Sequence, residues 1–135
     1  MSLFVDTSVW SLALRRDSPP DETPQVAALR RALEGGDLVV TTGLVYQELL
    51  QGFHGPRAQE AIVERFAALP LLTPDRDDHF EAAQLRNRAR RRGFQVGTID
   101  AILAQLCIRH GLALLTTDRD FARIAEQEPL DSWSP

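Results

Sequence analysis

The stretch GFQVGTIDAILAQLCIRHGLALLTTDRDF, residues 93–121, decides how the rest of the chain is read. Asp100 opens an almost wholly apolar helix, from about Thr98 to His110, which Gly111 stops. A short apolar run, Leu112 to Thr116, then reads as a buried strand and leads straight into Thr117, Asp118 and Asp120. Carboxylates beside buried apolar surface are costly unless something pairs with them. The sequence pushes negative charge against its own core, and its function turns on what neutralises that charge.

Working outward, the same alternation of short apolar strands and helices fills the chain. Leu3 to Val5 is a strand ending at Asp6, followed by a helix carrying Val9, Trp10, Leu12 and Leu14. Arg15 to Pro24, polar and proline-rich, reads as a loop. Pro24 to Glu34 is a helix with Val26, Leu29 and Leu33 on one face, stopped by Gly35-Gly36. Leu38 to Thr41 is a second strand, and Thr42 caps a helix over Gly43 to Gly52 that carries Glu48 on or beside its apolar face. Arg57 to Leu69 is helical and Leu69 to Leu72 is a third strand. Thr73-Pro74 has the form of a helix start, cap then first-turn proline, for a helix ending near Arg92 before Gly93. Phe121 to Glu128 reads as a last helix, and Pro129 to Pro135 as a tail or short edge strand. Such alternation implies one α/β domain over residues 1–135 with a mostly parallel sheet.

Composition narrows the function. A length of 135 residues fits a single compact domain, and no apolar run reaches membrane-spanning length. The N-terminus lacks the pattern of a signal peptide, and the one cysteine, Cys107, allows no internal disulfide; both suit a cytoplasmic protein. The net charge of −4 argues against a generally basic nucleic-acid binder but leaves room for a local basic patch. All 15 basic residues are Arg, which excludes any chemistry that needs a lysine amine. Arg instead offers planar, bidentate contacts to phosphate, although an Arg-rich codon bias accounts for the count as well.

Parallel α/β sheets bind ligands at the carboxyl ends of their strands. Asp6 falls there after strand one and Asp118 after strand four; Asp100 lies at a helix start and Glu48 on the helix after strand two. Converging and unpaired, the four would repel and some would stay protonated. A hard, oxygen-seeking dication, Mg²⁺ or Mn²⁺, removes the conflict. Such an ion lowers the pKa of water and polarises a phosphoryl oxygen, so no nucleophilic side chain is needed. Ser8 and Thr116 are placed to orient a ligand carboxylate or a water.

VDTSVW at residues 5–10, LVYQELLQG around Glu48, TIDAILA at 98–104 and LLTTDRDF at 114–121 together resemble PIN-domain ribonucleases, in particular the VapC toxins of bacterial toxin–antitoxin pairs. The resemblance implies a three-layer α/β/α sandwich with roughly four to five mostly parallel strands. It also implies Mg²⁺- or Mn²⁺-dependent cleavage of RNA, a homodimer, and a small VapB-like antitoxin as partner. Asp6, Glu48 and Asp100 match the family's most constant acids, with Asp6, Asp100 and Asp118 as the metal ligands. Asp118 stands at the fourth acidic position, and Asp120 is close enough to share or take that role.

Other features admit plainer readings. Asp118 and Asp120 also fit an Asx turn starting the last helix, one of them a ligand and the other structural. Arg86, Arg88, Arg90, Arg91 and Arg92 fit RNA phosphate contacts or a solvated helix end equally well. His54, His79 and His110 have no metal-site spacing, Cys107 sits among apolar neighbours, Trp10 reads as core or dimer contact, and Trp133 as tail or interface. A phosphoacceptor receiver domain would need a lysine, and a haloacid-dehalogenase-type phosphatase would need Asp-x-Asp where this chain has Asp6-Thr7-Ser8. The remaining alternative is a non-catalytic PIN fold that binds RNA or acts as a scaffold; four retained carboxylates argue against it.

Overall fold

The structure, a computed structural model, describes residues 1–15 and 23–135, so most of the loop expected over Arg15 to Pro24 lies outside the described residues. Twelve elements follow in order: β1 (Ser2–Val5), α1 (Thr7–Leu14), α2 (Pro24–Gly35), β2 (Leu38–Thr42), α3 (Gly43–Gly52), α4 (Pro56–Ala67), β3 (Leu71–Leu72), α5 (Arg76–Arg91), α6 (Thr98–His110), β4 (Ala113–Leu115), α7 (Asp120–Gln127) and β5 (Asp131–Ser132). The strands form one sheet in the order β3-β2-β1-β4-β5, with every neighbouring pair parallel.

That order dictates the layers. From β1 the chain steps outward through β2 to β3, then crosses back to β4 on the other side of β1 and on to β5. Right-handed crossovers put helices of the two directions of travel on opposite faces. Accordingly α1 packs on α2 and α3, and α3 on α4, while α5 packs on α6 and α6 on α7. The result is the expected α/β/α sandwich with five strands. β1 is its axis: Phe4 pairs with Val40 on one side and Leu114 on the other, and Leu3, Phe4 and Val5 are all buried. Burial on both faces is why this strand is apolar without alternation.

Most element ends have a visible cause. Thr42 accepts the Val45 N–H at 3.2 Å and starts α3. Gly111, at φ 63°, ends α6 in the left-handed conformation that glycine adopts without penalty. The start of α5 differs from expectation: Thr73-Pro74 stays outside, and Asp75 is the cap. Asp75 accepts the Asp78 N–H at 2.8 Å while Asp78 accepts the Asp75 N–H at 2.9 Å. This reciprocal box satisfies two otherwise orphaned donors and outcompetes the upstream start. β4 ends at Leu115 rather than Thr116, and the tail pairs as the edge strand β5, with the Trp133 N–H donating to the Leu114 carbonyl. No helix among the described residues is long and apolar enough to cross a membrane.

Candidate active site

The strand order reverses its direction between β1 and β4, and in open parallel sheets the crevice beyond such a switch point is where ligands bind. Asp6 lies at the end of β1. Its N–H donates to the Leu115 carbonyl at 3.2 Å, continuing the ladder by one rung, and its side chain caps α1. Oδ1 accepts from the Ser8 hydroxyl at 2.6 Å and the Ser8 N–H at 3.0 Å, and Oδ2 accepts from the Thr116 hydroxyl at 2.6 Å. Burial pushes the Asp6 carboxyl above its ordinary value, and the hydrogen bonds from Ser8, Thr116 and Val9 offset only part of that rise.

Ser8 and Thr116 reach further than Asp6. The Ser8 hydroxyl accepts the Thr117 N–H at 3.0 Å, and the Thr116 hydroxyl accepts the Asp118 N–H at 2.9 Å. The two side chains thus stitch the end of β1 to the loop after β4. Within that loop Asp118 accepts the Asp120 N–H at 2.9 Å, the Asx turn anticipated at the start of α7.

Asp100 projects from the first turn of α6, where the positive helix end tolerates a carboxylate. Oxygen atoms of Asp100, Asp118 and Asp120 all lie within 4.8 Å of one another. Asp118 makes the turn, and both Asp118 and Asp120 stand in the cluster. Glu48, on α3, lies outside this trio and accepts the Thr7 hydroxyl at 3.1 Å. Burial, followed by the charges of Asp118, Asp120, Asp6 and Glu48, pushes the Asp100 carboxyl up to about 6. All five acids thus share one field, and no Arg among the described residues forms an ion pair with any of them. The donor set is carboxylate only, without sulfur or imidazole, and fits a hard divalent cation. His54, His79 and His110 are exposed and dispersed.

The arginines divide. Arg88 makes a two-pronged ion pair with Glu128, at 2.7 and 3.0 Å, and Arg92 joins Gln127 at 2.9 Å. Arg86 donates to the Val96 carbonyl at 2.6 Å. Arg90 and Arg91 are exposed, with no ion pair among the described residues. Trp10 is core, its ring 5.0 Å from that of Phe66 and tilted by 55° against it, and Cys107 is buried. No local pattern in the sequence points to the Thr7–Glu48 bond, because its partners lie 41 positions apart.

An all-parallel α/β sheet with carboxylates gathered at its switch point is the architecture of a PIN domain. Residues 3–127 match that family, and the chain belongs to it. Its sequence is 31% identical over 137 residues to ribonuclease VapC11 of Mycobacterium tuberculosis, covering 98% of each chain. In structure it is similar to VapBC2 from Rickettsia felis, solved bound to a DNA fragment from their promoter (TM-score 0.75, 17% identity, 99% of this chain and 100% of that one). It is also similar to VapC20 of Mycobacterium tuberculosis, described as a sarcin-ricin loop cleaving toxin (TM-score 0.68, 20% identity, 90% of this chain and 94% of that one).

Proposed function

We propose that this protein is the toxin of a VapBC-type toxin–antitoxin pair and an endoribonuclease that hydrolyses RNA phosphodiesters with Mg²⁺ or Mn²⁺. The observation that carries the proposal is the uncompensated cluster of Asp100, Asp118 and Asp120 beside Asp6 and Glu48. A fold gains nothing in stability from gathering like charges against its core, so the arrangement is explained by a cation they bind. Its sequence relatives of 31% identity are named ribonucleases, which supplies the substrate class.

Asp6, Glu48, Asp100 and Asp118 are assigned the chemistry. Asp100 and Asp118 hold the cation together with Asp6 or Asp120. When bound, the cation neutralises phosphate charge and makes water a better nucleophile. Asp6, already bonded to Ser8 and Thr116, fixes the separation of the two strand ends that carry the ligands. Glu48, tied through one oxygen to Thr7, has the other to orient and deprotonate the attacking water. Arg90 and Arg91, with Arg86 and Arg92 beside them, are assigned to RNA phosphates.

Purified protein is expected to cut RNA only with Mg²⁺ or Mn²⁺ present; cleavage undiminished by EDTA overturns this mechanism. A small VapB-like antitoxin is the expected inhibitor, by likeness to the VapBC complexes. A homodimer in the cytoplasm is expected as well. Ile99 on α6, 41% exposed, lines a cleft of about 330 Å³, and it and Phe80 on α5, 60% exposed, offer apolar surface for it. A monomeric mass by light scattering would remove the dimer from this proposal.

A further inference from the structure

We infer that Thr7 is the positioning residue for Glu48, holding that carboxylate at the rim of the acidic cluster without neutralising it. The inference rests on the metal-dependent reading of the site.

Thr7 is the first residue of α1, directly after Asp6, so its backbone is fixed by the hydrogen bonds that anchor Asp6. From there its hydroxyl reaches across to α3 and donates to Glu48 Oε1 at 3.1 Å. This is the one hydrogen bond of the Glu48 carboxylate among the described residues. Two forces act to move Glu48 away. A long, flexible glutamate side chain gains rotamer freedom by swinging into solvent. The negative charge of Asp100 repels it, as the influence of Glu48 on Asp100 shows in return.

An Arg or Lys in place of Thr7 would hold Glu48 more firmly, but it would also cancel the negative field a cation needs. A hydroxyl is a neutral donor: it fixes one oxygen, keeps the full charge, and leaves the second oxygen free. The same choice is made at Asp6, where both donors to the side chain from other residues' side chains are hydroxyls, Ser8 and Thr116. The side chains restraining Asp6 and Glu48 are thus all neutral.

The test is a set of variants read by Mn²⁺ titration calorimetry and by RNA cleavage. Thr7→Val keeps the β-branched shape and removes the donor; Thr7→Ser keeps the donor. Thr7→Val is expected to lower RNA cleavage by about tenfold to a hundredfold, the cost of a misplaced catalytic group, and to weaken Mn²⁺ binding by a smaller factor through the lost charge at the rim, while Thr7→Ser stays near wild type in both. In a Glu48→Ala background Thr7→Val is expected to have no further effect, since it acts only through Glu48. An equal loss in that background, or an equal loss in Thr7→Ser, overturns the inference. Should Thr7→Val fail to fold, Thr7→Ala carries the same comparison. Wild-type protein that binds Mn²⁺ with these Thr7 effects but cuts no RNA refutes the ribonuclease reading and leaves the role of Thr7 standing; wild-type protein that binds no Mn²⁺ overturns both.

Discussion

Two carboxylates on the α5–α6 pair receive opposite treatment. Asp78, in the first turn of α5, is fully buried, yet its carboxyl lies below its ordinary value. Burial pushes it up, but the Asp75 N–H, Gln105 and Arg109 together outweigh that cost. Asp100, in the first turn of α6, is less buried and is pushed up to about 6, by burial and by four acidic neighbours. Where a carboxylate serves the fold, the chain provides its own arginine. At the switch point it provides hydroxyls and more carboxylates, so the missing positive charge has to come from outside.

Removing one member of each group separates the two kinds of acid. The largest effect is expected at the site. Asp100→Asn should lower RNA cleavage by more than about a hundredfold, beyond what outer partners of metal ligands cost, in a protein that still melts cooperatively. Retained activity in that variant would break the contrast outright. Asp78→Ala should do the reverse. It leaves the Asp75 N–H without its partner and Arg109 with Asp75 alone, and costs on the order of 2 kcal/mol by chemical denaturation, with specific activity of the folded fraction kept. An undiminished midpoint would show that the Asp78 network does not hold the fold.

The pH dependence sharpens the comparison. A carboxyl raised in the folded state favours folding when protonated, so its contribution is present at low pH and is lost as pH rises from 3.8 through about 6. Metal-free Asp100→Asn is therefore expected to melt higher than wild type at pH 8, with a gain that shrinks as pH falls toward 3.8. Asp78, lowered by folding, runs the other way: its stabilisation is present above the ordinary value of 3.8 and is lost as pH falls below it. Melting curves across this range check both signs. The smallest effect is expected from the arginines. Replacing Arg90 and Arg91 should weaken RNA binding and make its salt dependence shallower, the slope falling by about one for each phosphate no longer held. An unchanged slope would return them to the solvated helix end.

Legibility followed the range of the interactions. Helix α6 could be bounded from sequence because its causes are local: Asp100 in the first turn, an apolar body, Gly111 at the stop. The start of α5 lies two residues beyond the Thr73-Pro74 signal because two start signals overlap there, and only the reciprocal Asp75–Asp78 bonds decide between them. That the acids gather at one rim followed from strand order, but the presence of both Asp118 and Asp120 in the cluster did not. An Asx turn and a cluster position look alike in sequence when one residue occupies both. The Arg run was ambiguous for another reason. Glu128, which engages Arg88, lies 40 positions away, so no spacing rule could have divided the paired arginines from the free ones.

The hydrogen bond from Thr116 to Asp6 joins residues 110 positions apart. Every acid-bearing segment except the last is already made when the ribosome still has β4 and that loop to add, and without β4 the strand β1 has no partner on that side. A growing chain therefore cannot complete the acidic cluster until Asp118 and Asp120 have emerged. For a protein proposed to attack RNA, distributing the site over both ends of the chain would act as a safeguard during its own synthesis.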